Sequence, residues 1–174
     1  MTGLNAMPGE LARQHLRACC SSERWVAEVV SGRPYASAED LLAASDAASA
    51  GLAPADLEQA LAGHPRIGDR RGADERSRRE QAGVLGADLA TIQALADGNE
   101  EYERRFRHIY LVCATGRNAA DLLALLRGRL GNDPDTEWGV VRRELGKINR
   151  IRLARLLEGG EGGMGGEKGG MGGQ

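Results

Sequence analysis

Apolar residues recur at three- and four-residue steps along most of the chain, which is the spacing of one face of an α-helix. The longest such pattern covers residues 87–106 and places Leu89, Ile92, Ala96, Asn99, Tyr102 and Phe106 on one face. Similar spacing predicts helices over about 7–20, 22–31, 38–50, 54–62, 118–131 and 135–157. The short apolar run 110–114 is the stretch that best fits a strand. The pattern therefore predicts an all-α fold in a single multi-helix domain.

Glycine, proline and polar residues separate these helices. Pro54 is predicted to open one helix, and Gly51 to end the helix before it. Residues 64–76 show neither helical nor strand periodicity, which predicts a loop of about 13 residues, long enough to suspect a function. After this loop, Ser77 is predicted to cap a short turn that ends at Ala82.

The last segment of the chain has a different composition. Ten of the 25 glycines lie at or after position 159, in a stretch rich in glycine, methionine and glutamate. Such a stretch cannot bury a core. We therefore predict a folded domain at 1–158 and a disordered tail at 159–174.

Composition and charge narrow the class of protein. Aromatic residues make up 3% of the chain, which argues against a β-sandwich or barrel. The 25 acidic and 23 basic residues give a net charge of −2, so no overall basic field favours nucleic acid. The three cysteines lack the spacing of a zinc site or a disulfide framework, and neither a membrane span nor a signal peptide is apparent. We expect a soluble, cytoplasmic protein that binds no metal, nucleic acid or membrane.

A histidine at the start of the long loop is the first candidate for chemistry. His64 precedes Pro65, and a residue before proline has an extended backbone, which can fix the direction of its side chain. By itself, a single histidine in a loop is more often simply a solvated residue. His15, within a helix, and His108, beside the apolar run, are weaker candidates.

The residues after the loop form a second candidate group. Ser77 and Glu80 have the separation of a capping box, which is the purely structural interpretation. Alternatively, Glu80 can orient His64 or bind substrate N–H groups, with the Gln81 amide beside it. The segment 113–117 ends in a glycine break and is either an ordinary turn or exposed backbone for a small polar ligand.

Arg152 interrupts the apolar face of the last predicted helix. Val141, Leu145 and Ile148 form that face, and the next four-residue step lands on Arg152. A guanidinium on an apolar stripe needs an anionic partner or an escape to water. Near the C-terminus of a helix, escape to water is the usual outcome.

A histidine, a carboxylate, an amide and an arginine suit acid–base chemistry on an anion, but two other functions fit the sequence. A helical interaction module could use the glycine-rich tail as a tether. A nucleic-acid binder could use the six arginines between positions 66 and 79. Four acidic residues among and beside them leave that segment at +2, and no aromatic residues interleave, so a solvated loop accounts for it better.

The order and spacing of these motifs resemble a known enzyme family. The residues that carry the resemblance are His64-Pro-x-Ile67-Gly68, Ser77-x-x-Glu80-Gln81-x-Gly83, Asn99-x-x-Tyr102-x-x-x-Phe106, Cys113-Ala114-x-Gly116-Arg117, Arg129-Leu130-x-Asn132-Asp133, Glu144-Leu145-x-Lys147-Ile148 and Arg152-Leu153. Over roughly 11–157 the chain resembles the OHCU decarboxylases, where OHCU is 2-oxo-4-hydroxy-4-carboxy-5-ureidoimidazoline. The resemblance implies an all-α fold, usually a homodimer, and the decarboxylation of OHCU to (S)-allantoin in the last step of urate conversion. It also implies that no metal or organic cofactor is used.

The resemblance assigns roles to individual residues. His64 corresponds to the catalytic acid/base and Glu80 to its essential carboxylate partner. Substrate-binding roles fall on the side chains of Pro65, Ser77, Gln81 and Arg152, and on backbone groups near Leu111 and Val112. Because a neighbouring carboxylate raises the pKa of an imidazole, Glu80 is expected to keep His64 protonated and able to donate a proton.

Two positions depart from the pattern of the resembled family. Arg107 stands where the family commonly has glycine, and Asn118 stands where it often has serine. Both lie outside the matched catalytic set, so the departures bear on local packing more than on activity.

Overall fold

A computed structural model of the chain describes residues 2–68, 75–84 and 86–161, and every regular element within them is a helix, which confirms the predicted all-α class. The first half contains α1 (Thr2–Ala6), α2 (Gly9–Arg17), α3 (Glu23–Ser31), α4 (Ala38–Ala50) and α5 (Pro54–Leu61). The second half contains α6 (Glu75–Glu80), a 3₁₀ turn (Ala82–Val84), α7 (Leu89–Phe106), α8 (Ala119–Arg129) and α9 (Pro134–Glu161). Among the described helices, none has the length and apolar character that crossing a membrane requires.

The final helix is longer than its sequence pattern predicts. α9 ends at Glu161, so residues 159–161 of the predicted tail are helical. The rest of the predicted tail, 162–174, lies outside the described residues.

Polar side chains fix the starts of several helices. The Ser22 hydroxyl accepts a hydrogen bond from the Trp25 amide at 3.3 Å and caps α3. The Asn118 side chain accepts from the Asp121 amide at 2.9 Å and caps α8. Asparagine and serine cap helices about equally well, so the departure at position 118 keeps the local function.

The predicted cap at Ser77 is wrong. α6 begins at Glu75, so Ser77 lies inside the helix, where a residue cannot serve as the N-cap. The side chain of Ser77 lies outside the described part of the structure. Its predicted role in binding substrate therefore stays a prediction.

The predicted register of α7 is partly wrong. Leu95, Asn99 and Tyr102 are buried, whereas Leu89 is 84% exposed and Ala96 also faces solvent. Leu89 is the first residue of the helix and extends past the packed face. The buried stripe of α7 therefore runs through Leu95, Asn99 and Tyr102, and α7 packs against α8.

Arg107 ends α7 in the left-handed conformation, with φ of 67°. This conformation costs a residue with a Cβ roughly 1–2 kcal/mol, and glycine adopts it freely. Arg107 therefore bears a conformational cost that the glycine common in the resembled family avoids.

Two hydrophobic clusters meet along the extended segment 109–114. The first cluster is built from α1–α5 and α9, with Trp25 at its centre, and the second is built mainly from α7 and α8. Alternate residues of the segment enter opposite clusters, because side chains of an extended chain alternate in direction. Ile109, Leu111 and Cys113 pack on the first cluster, and Tyr110, Val112 and Ala114 on the second. A strand over 110–114 is therefore not formed within the described residues, because the run pairs with no other strand, although its side chains alternate as in an extended chain.

Candidate active site

One pocket collects most of the residues that the sequence motifs single out. It lies where the ends of α5 and α6 and the segment 109–114 meet α9. The predicted residues that line it are His64, Pro65, Glu80, Gln81, Leu111, Val112 and Arg152. His15 and His108 are not among its lining residues. The chain thus brings together residues as far apart in sequence as the start of the loop and the last helix.

The end of α5 anchors the His64 ring. The His64 amide donates to the Leu61 carbonyl at 2.9 Å, and Nδ1 lies 2.9 Å from the Ala60 carbonyl oxygen. A carbonyl oxygen can only accept, so Nδ1 carries a proton and the neutral ring has its lone pair on Nε2. That Nε2 atom is buried and has no hydrogen-bond partner among the described residues. His64 therefore presents an unused basic nitrogen at the pocket.

The expectation that Glu80 keeps the resting His64 ring protonated is wrong. Burial above all, together with the positive charges of Arg152 and Arg76, lowers the pKa of His64 to about 4. The Ala60 carbonyl and the Glu80 carboxylate act in the opposite direction but are outweighed. The ring is therefore neutral near pH 7, because desolvation disfavours the charged imidazolium.

Glu80 pairs with Arg152 rather than with His64. Nε and Nη2 of Arg152 each donate to a different carboxylate oxygen of Glu80 at 2.9 Å, and Nη1 donates to the Cys19 carbonyl at 3.0 Å. Both side chains are largely buried. The arginine on the apolar stripe thus has an anionic partner, and the expected escape to water does not occur. This two-point geometry is the strong form of an arginine–carboxylate pair.

Gln81 holds the loop that carries His64. Its side-chain oxygen accepts from the Gly68 amide at 2.8 Å, and its side-chain nitrogen donates to the Arg66 carbonyl at 3.4 Å. Asn99 on α7 donates to the Ile67 carbonyl at 3.0 Å. Gly68 has φ of 85°, a conformation that favours glycine. These contacts connect the motif that begins at His64 to those at Gln81 and Asn99.

Two buried charged side chains hold the extended wall of the pocket. Arg129 on α8 donates to the Leu111 carbonyl at 2.6 Å, and the Cys113 amide donates to Glu144 on α9 at 2.9 Å. These groups replace the neighbouring strand that an extended segment normally requires. Val112, between the two contacts, lines the pocket, and its backbone has no hydrogen-bond partner among the described residues. Its N–H and C=O are the groups available to a ligand.

Gly83 allows the segment after Gln81 to approach the start of α8. A Cβ atom at this position would lie 1.8 Å from the Arg117 carbonyl oxygen, which no side chain could accommodate without moving the backbone. The glycine of this motif thus serves close packing rather than catalysis.

The pocket is nearly closed. Its cavity volume is about 20 Å³, which is room for about one water molecule. In the described part of the chain, no three histidine, cysteine or acidic side chains come together in a way that could hold a metal ion.

Sequence reasoning missed several pocket residues. Tyr110, Ile148 and Ile151 also line the cavity, beside Thr115 of the segment 113–117 that the sequence offers as a ligand-binding turn. Ile148 was assigned to the core only, although a residue four positions before Arg152 on a helix lies beside it. That spacing could have identified Ile148 as a neighbour of the site.

Comparison with known proteins matches the chain to a family of enzymes. A family model for OHCU decarboxylase matches residues 5–154. A 2-oxo-4-hydroxy-4-carboxy-5-ureidoimidazoline decarboxylase from Amia calva is 32% identical over 138 residues, which cover 76% of this chain and 79% of the relative. The uric acid degradation bifunctional protein TTL from Arabidopsis thaliana is 29% identical over 157 residues, 86% of this chain. The chain spans only 48% of that longer relative.

Solved structures share the fold. A crystal structure of OHCU decarboxylase in the presence of (S)-allantoin aligns with a TM-score of 0.73 at 24% identity, covering 87% of this chain and 99% of that one. A crystal structure of (S)-allantoin synthase aligns with a TM-score of 0.66 at 18% identity, covering 87% of this chain and 52% of that one. At these identities the structural matches establish the fold.

Proposed function

Because this chain belongs to the OHCU decarboxylase family, a family of carboxy-lyases, we propose that it decarboxylates OHCU to (S)-allantoin in urate degradation, with His64 as the acid/base group. The observation that carries the proposal is the buried, unpartnered Nε2 of His64 in a pocket that also presents Glu80 and Arg152. A neutral imidazole with a free lone pair is a base at neutral pH.

The chemistry of the substrate defines what the protein has to supply. The carboxylate sits on a ring carbon beside the ring C=N bond, so departing CO2 leaves its bonding electrons in that unsaturated system. The ring nitrogen of that C=N bond and the ureido-bearing carbon then each gain a proton, and the hydroxyl on the neighbouring carbon loses one as its oxygen becomes a carbonyl. Because a carboxylate leaves as neutral CO2, the reaction takes up one proton from water overall. The substrate is its own electron sink.

His64 supplies the proton transfers in this scheme. Its Nε2 lone pair accepts the hydroxyl proton, and the resulting imidazolium returns a proton to one face of the ureido-bearing carbon, which sets the (S) configuration. The Glu80 carboxylate, which favours the charged form of His64, stabilises the imidazolium during its short lifetime. Glu80 thus acts on the intermediate state of the ring rather than on its resting state.

The remaining pocket groups bind the substrate. The Arg152 guanidinium suits the carboxylate or the ureido oxygen, because its planar fork binds such groups at two points. The backbone N–H and C=O of Val112 suit the ring amide groups. Arg152 is already engaged by Glu80, and the cavity is smaller than the substrate, so binding has to move the loop that carries His64 or part this ion pair. Positioning of this kind supplies a large part of the acceleration in enzymes of this type.

Circular dichroism of allantoin tests the proposal directly. OHCU is short-lived and is generated from urate in the cuvette, and formation of (S)-allantoin is followed with and without the protein. We expect His64→Ala to lower the rate by about 10²–10⁴-fold, the usual contribution of a general acid or base. The control is His108→Gln, which changes a histidine outside the pocket. A His64→Ala variant as fast as the wild type contradicts the assigned role.

Two further proposals follow from the family resemblance. We propose that the protein is a homodimer and that it acts in the cytoplasm. Sedimentation that shows a monomer at micromolar concentration would contradict the first of these.

A further inference from the structure

A second, open cleft adjoins the pocket on the other side of Arg152. Its volume is about 360 Å³, within the range of small-molecule sites. Arginine side chains dominate its lining, with Arg76 and Arg79 from α6 facing Arg152 and Arg155 from α9, and with His15 from α2 at its edge. Neither the sequence motifs nor the catalytic scheme uses Arg76, Arg79 or Arg155.

The cleft carries excess positive charge. Arg79 is paired with Glu75 at 2.6 Å, and Glu80 is shared between Arg152 at 2.9 Å and Arg155 at 3.8 Å. Among the described residues, four guanidinium groups therefore face two carboxylates. Arg76 has no ion-pair partner in the part of the chain that the structure describes, and the field of this cleft attracts anions.

Arg152 connects the cleft to the pocket. Its side chain lines both cavities. Burial raises the pKa of the Cys19 thiol, on the cleft side, to about 11 and lowers that of His64, on the pocket side, and the charge of Arg76 acts on both groups as a smaller, pKa-lowering influence. An anion held among the arginines of the cleft is therefore next to the guanidinium that we assign to substrate binding.

We propose that this arginine cleft is the entry site of the enzyme and binds the carboxylate of the incoming substrate before the substrate reaches the pocket. The inference rests on the proposed function, because it takes OHCU as the anion. The charges of the reaction fit such a site. The substrate is a carboxylate and the product allantoin carries none, so the cleft attracts the substrate and does not retain the product. The volumes agree as well, since the closed pocket holds about one water and the cleft is of ligand size.

Arg76→Gln tests the proposal, with Arg78→Gln as a matched control. Arg78 is exposed on the same helix and lies outside both cavities, so the two variants change the net charge equally. We expect Arg76→Gln to raise KM and lower kcat/KM about 3–10-fold at about 0.01 M salt, where the Debye length is about 30 Å. The difference should shrink at about 0.15 M salt, where the Debye length is about 8 Å. Arg76→Lys should restore most of the loss, and Arg78→Gln should behave as the wild type.

Measurement at pH 8 separates an effect on substrate binding from an effect on the protonation of His64. His64 is neutral there in the wild type and in the variant, so kcat should change less than about twofold, and a loss confined to kcat contradicts the proposal. Equal KM values for Arg76→Gln and Arg78→Gln overturn it.

Calorimetric titration with malonate separates this proposal from the proposed function. Malonate is a small dicarboxylate, and its binding requires no turnover. In one outcome, malonate binding depends on Arg76 and on salt, but the wild type forms no allantoin from OHCU. The cleft is then an anion site whose ligand is not OHCU, and the entry role is rejected. In the other outcome, the wild type turns over OHCU but Arg76→Gln binds malonate as the wild type does. The proposed anion-binding role of the cleft is then rejected, and the proposed decarboxylase function stands.

Discussion

Two buried arginine–glutamate pairs lie beside the extended wall 109–114, and they differ in how their hydrogen-bonding groups are used. Glu137 accepts hydrogen bonds from the Arg129 guanidinium, from the Tyr102 hydroxyl and from the side-chain nitrogen of Asn132. Arg129 in addition holds the Leu111 carbonyl. Both oxygens of Glu137 are thus occupied by neighbours that stay in place, and the carboxylate is fully buried.

The pair between Glu80 and Arg152 is built differently. The carboxylate is 11% exposed, it accepts hydrogen bonds from Arg152 and has a longer ion-pair contact of 3.8 Å with Arg155, and His64, with its unpartnered Nε2, lines the same cavity. The two residues are 72 positions apart, whereas Arg129 and Glu137 are 8 apart. A buried ion pair enclosed by its own neighbours stabilises a fixed arrangement, and one at the edge of a cavity can exchange a partner for a ligand. The comparison teaches that burial and bidentate geometry alone do not identify a functional pair.

The largest expected effect comes from breaking the enclosed pair. Glu137→Gln leaves the Arg129 charge buried without a carboxylate, and loss of one partner of a buried pair costs roughly 3–5 kcal/mol. We expect the free energy of unfolding, measured by urea denaturation, to fall by about that amount. The control Glu23→Gln removes an exposed carboxylate that binds Arg17 at two points and should cost less than about 1 kcal/mol. Equal losses in the two variants would show that the enclosure of Glu137 contributes nothing.

The second prediction concerns the pH dependence of stability, and it tests His64, which lines the pocket beside the pair of Glu80 and Arg152. Burial holds the pKa of folded His64 at about 4, below its ordinary value of 6.5, so between these values the unfolded chain binds more protons than the folded one. Stability is therefore complete above pH 6.5 and falls as the pH is lowered towards 4, by up to roughly 3 kcal/mol from this residue. Unfolding free energies measured across this window should show the slope.

The control for this slope is a variant that cannot titrate. His64→Gln should lose the His64 part of the dependence, whereas Glu137→Gln should keep it because His64 is intact. A His64→Gln curve parallel to that of the wild type would mean that the folded ring titrates near its ordinary pKa.

The two pairs also differ in how far the sequence predicts them. The four-residue steps along the last helix place Arg152 on a buried face, and the physics of a buried guanidinium demands either an anion or water. The spacing alone cannot choose between these, because the partner arrives from a loop and a short helix 72 residues earlier. The motifs locate Glu80 in the site, but only the packed chain shows that it binds Arg152 and leaves His64 neutral.

The extended wall shows the same limit in another form. Its apolar pattern predicts an extended segment, and alternation does distribute its residues between two hydrophobic clusters. Its pairing is not encoded locally, because Arg129 and Glu144 supply the contacts of a missing strand from two different helices. Likewise, the apolar spacing of α7 predicts a helix correctly but not that Leu89 extends beyond the packed face.

Glu80→Gln is expected to have the smallest of these effects on stability. Its main effect is expected on the rate of the reaction. The glutamine keeps the size of the side chain and an acceptor for Arg152, but it removes the negative charge that stabilises the His64 imidazolium. We expect (S)-allantoin formation to slow about a hundredfold, which is ~2.7 kcal/mol in the barrier. The cost in unfolding free energy should stay below that of Glu137→Gln, because Arg152 borders two cavities that admit water. Glu28→Gln, which removes an exposed carboxylate outside both cavities, should leave the rate unchanged and cost less than about 1 kcal/mol of unfolding free energy. If Glu80→Gln instead unfolds as readily as Glu137→Gln and its folded fraction turns over at the wild-type rate, both pairs are structural and the distinction drawn between them fails.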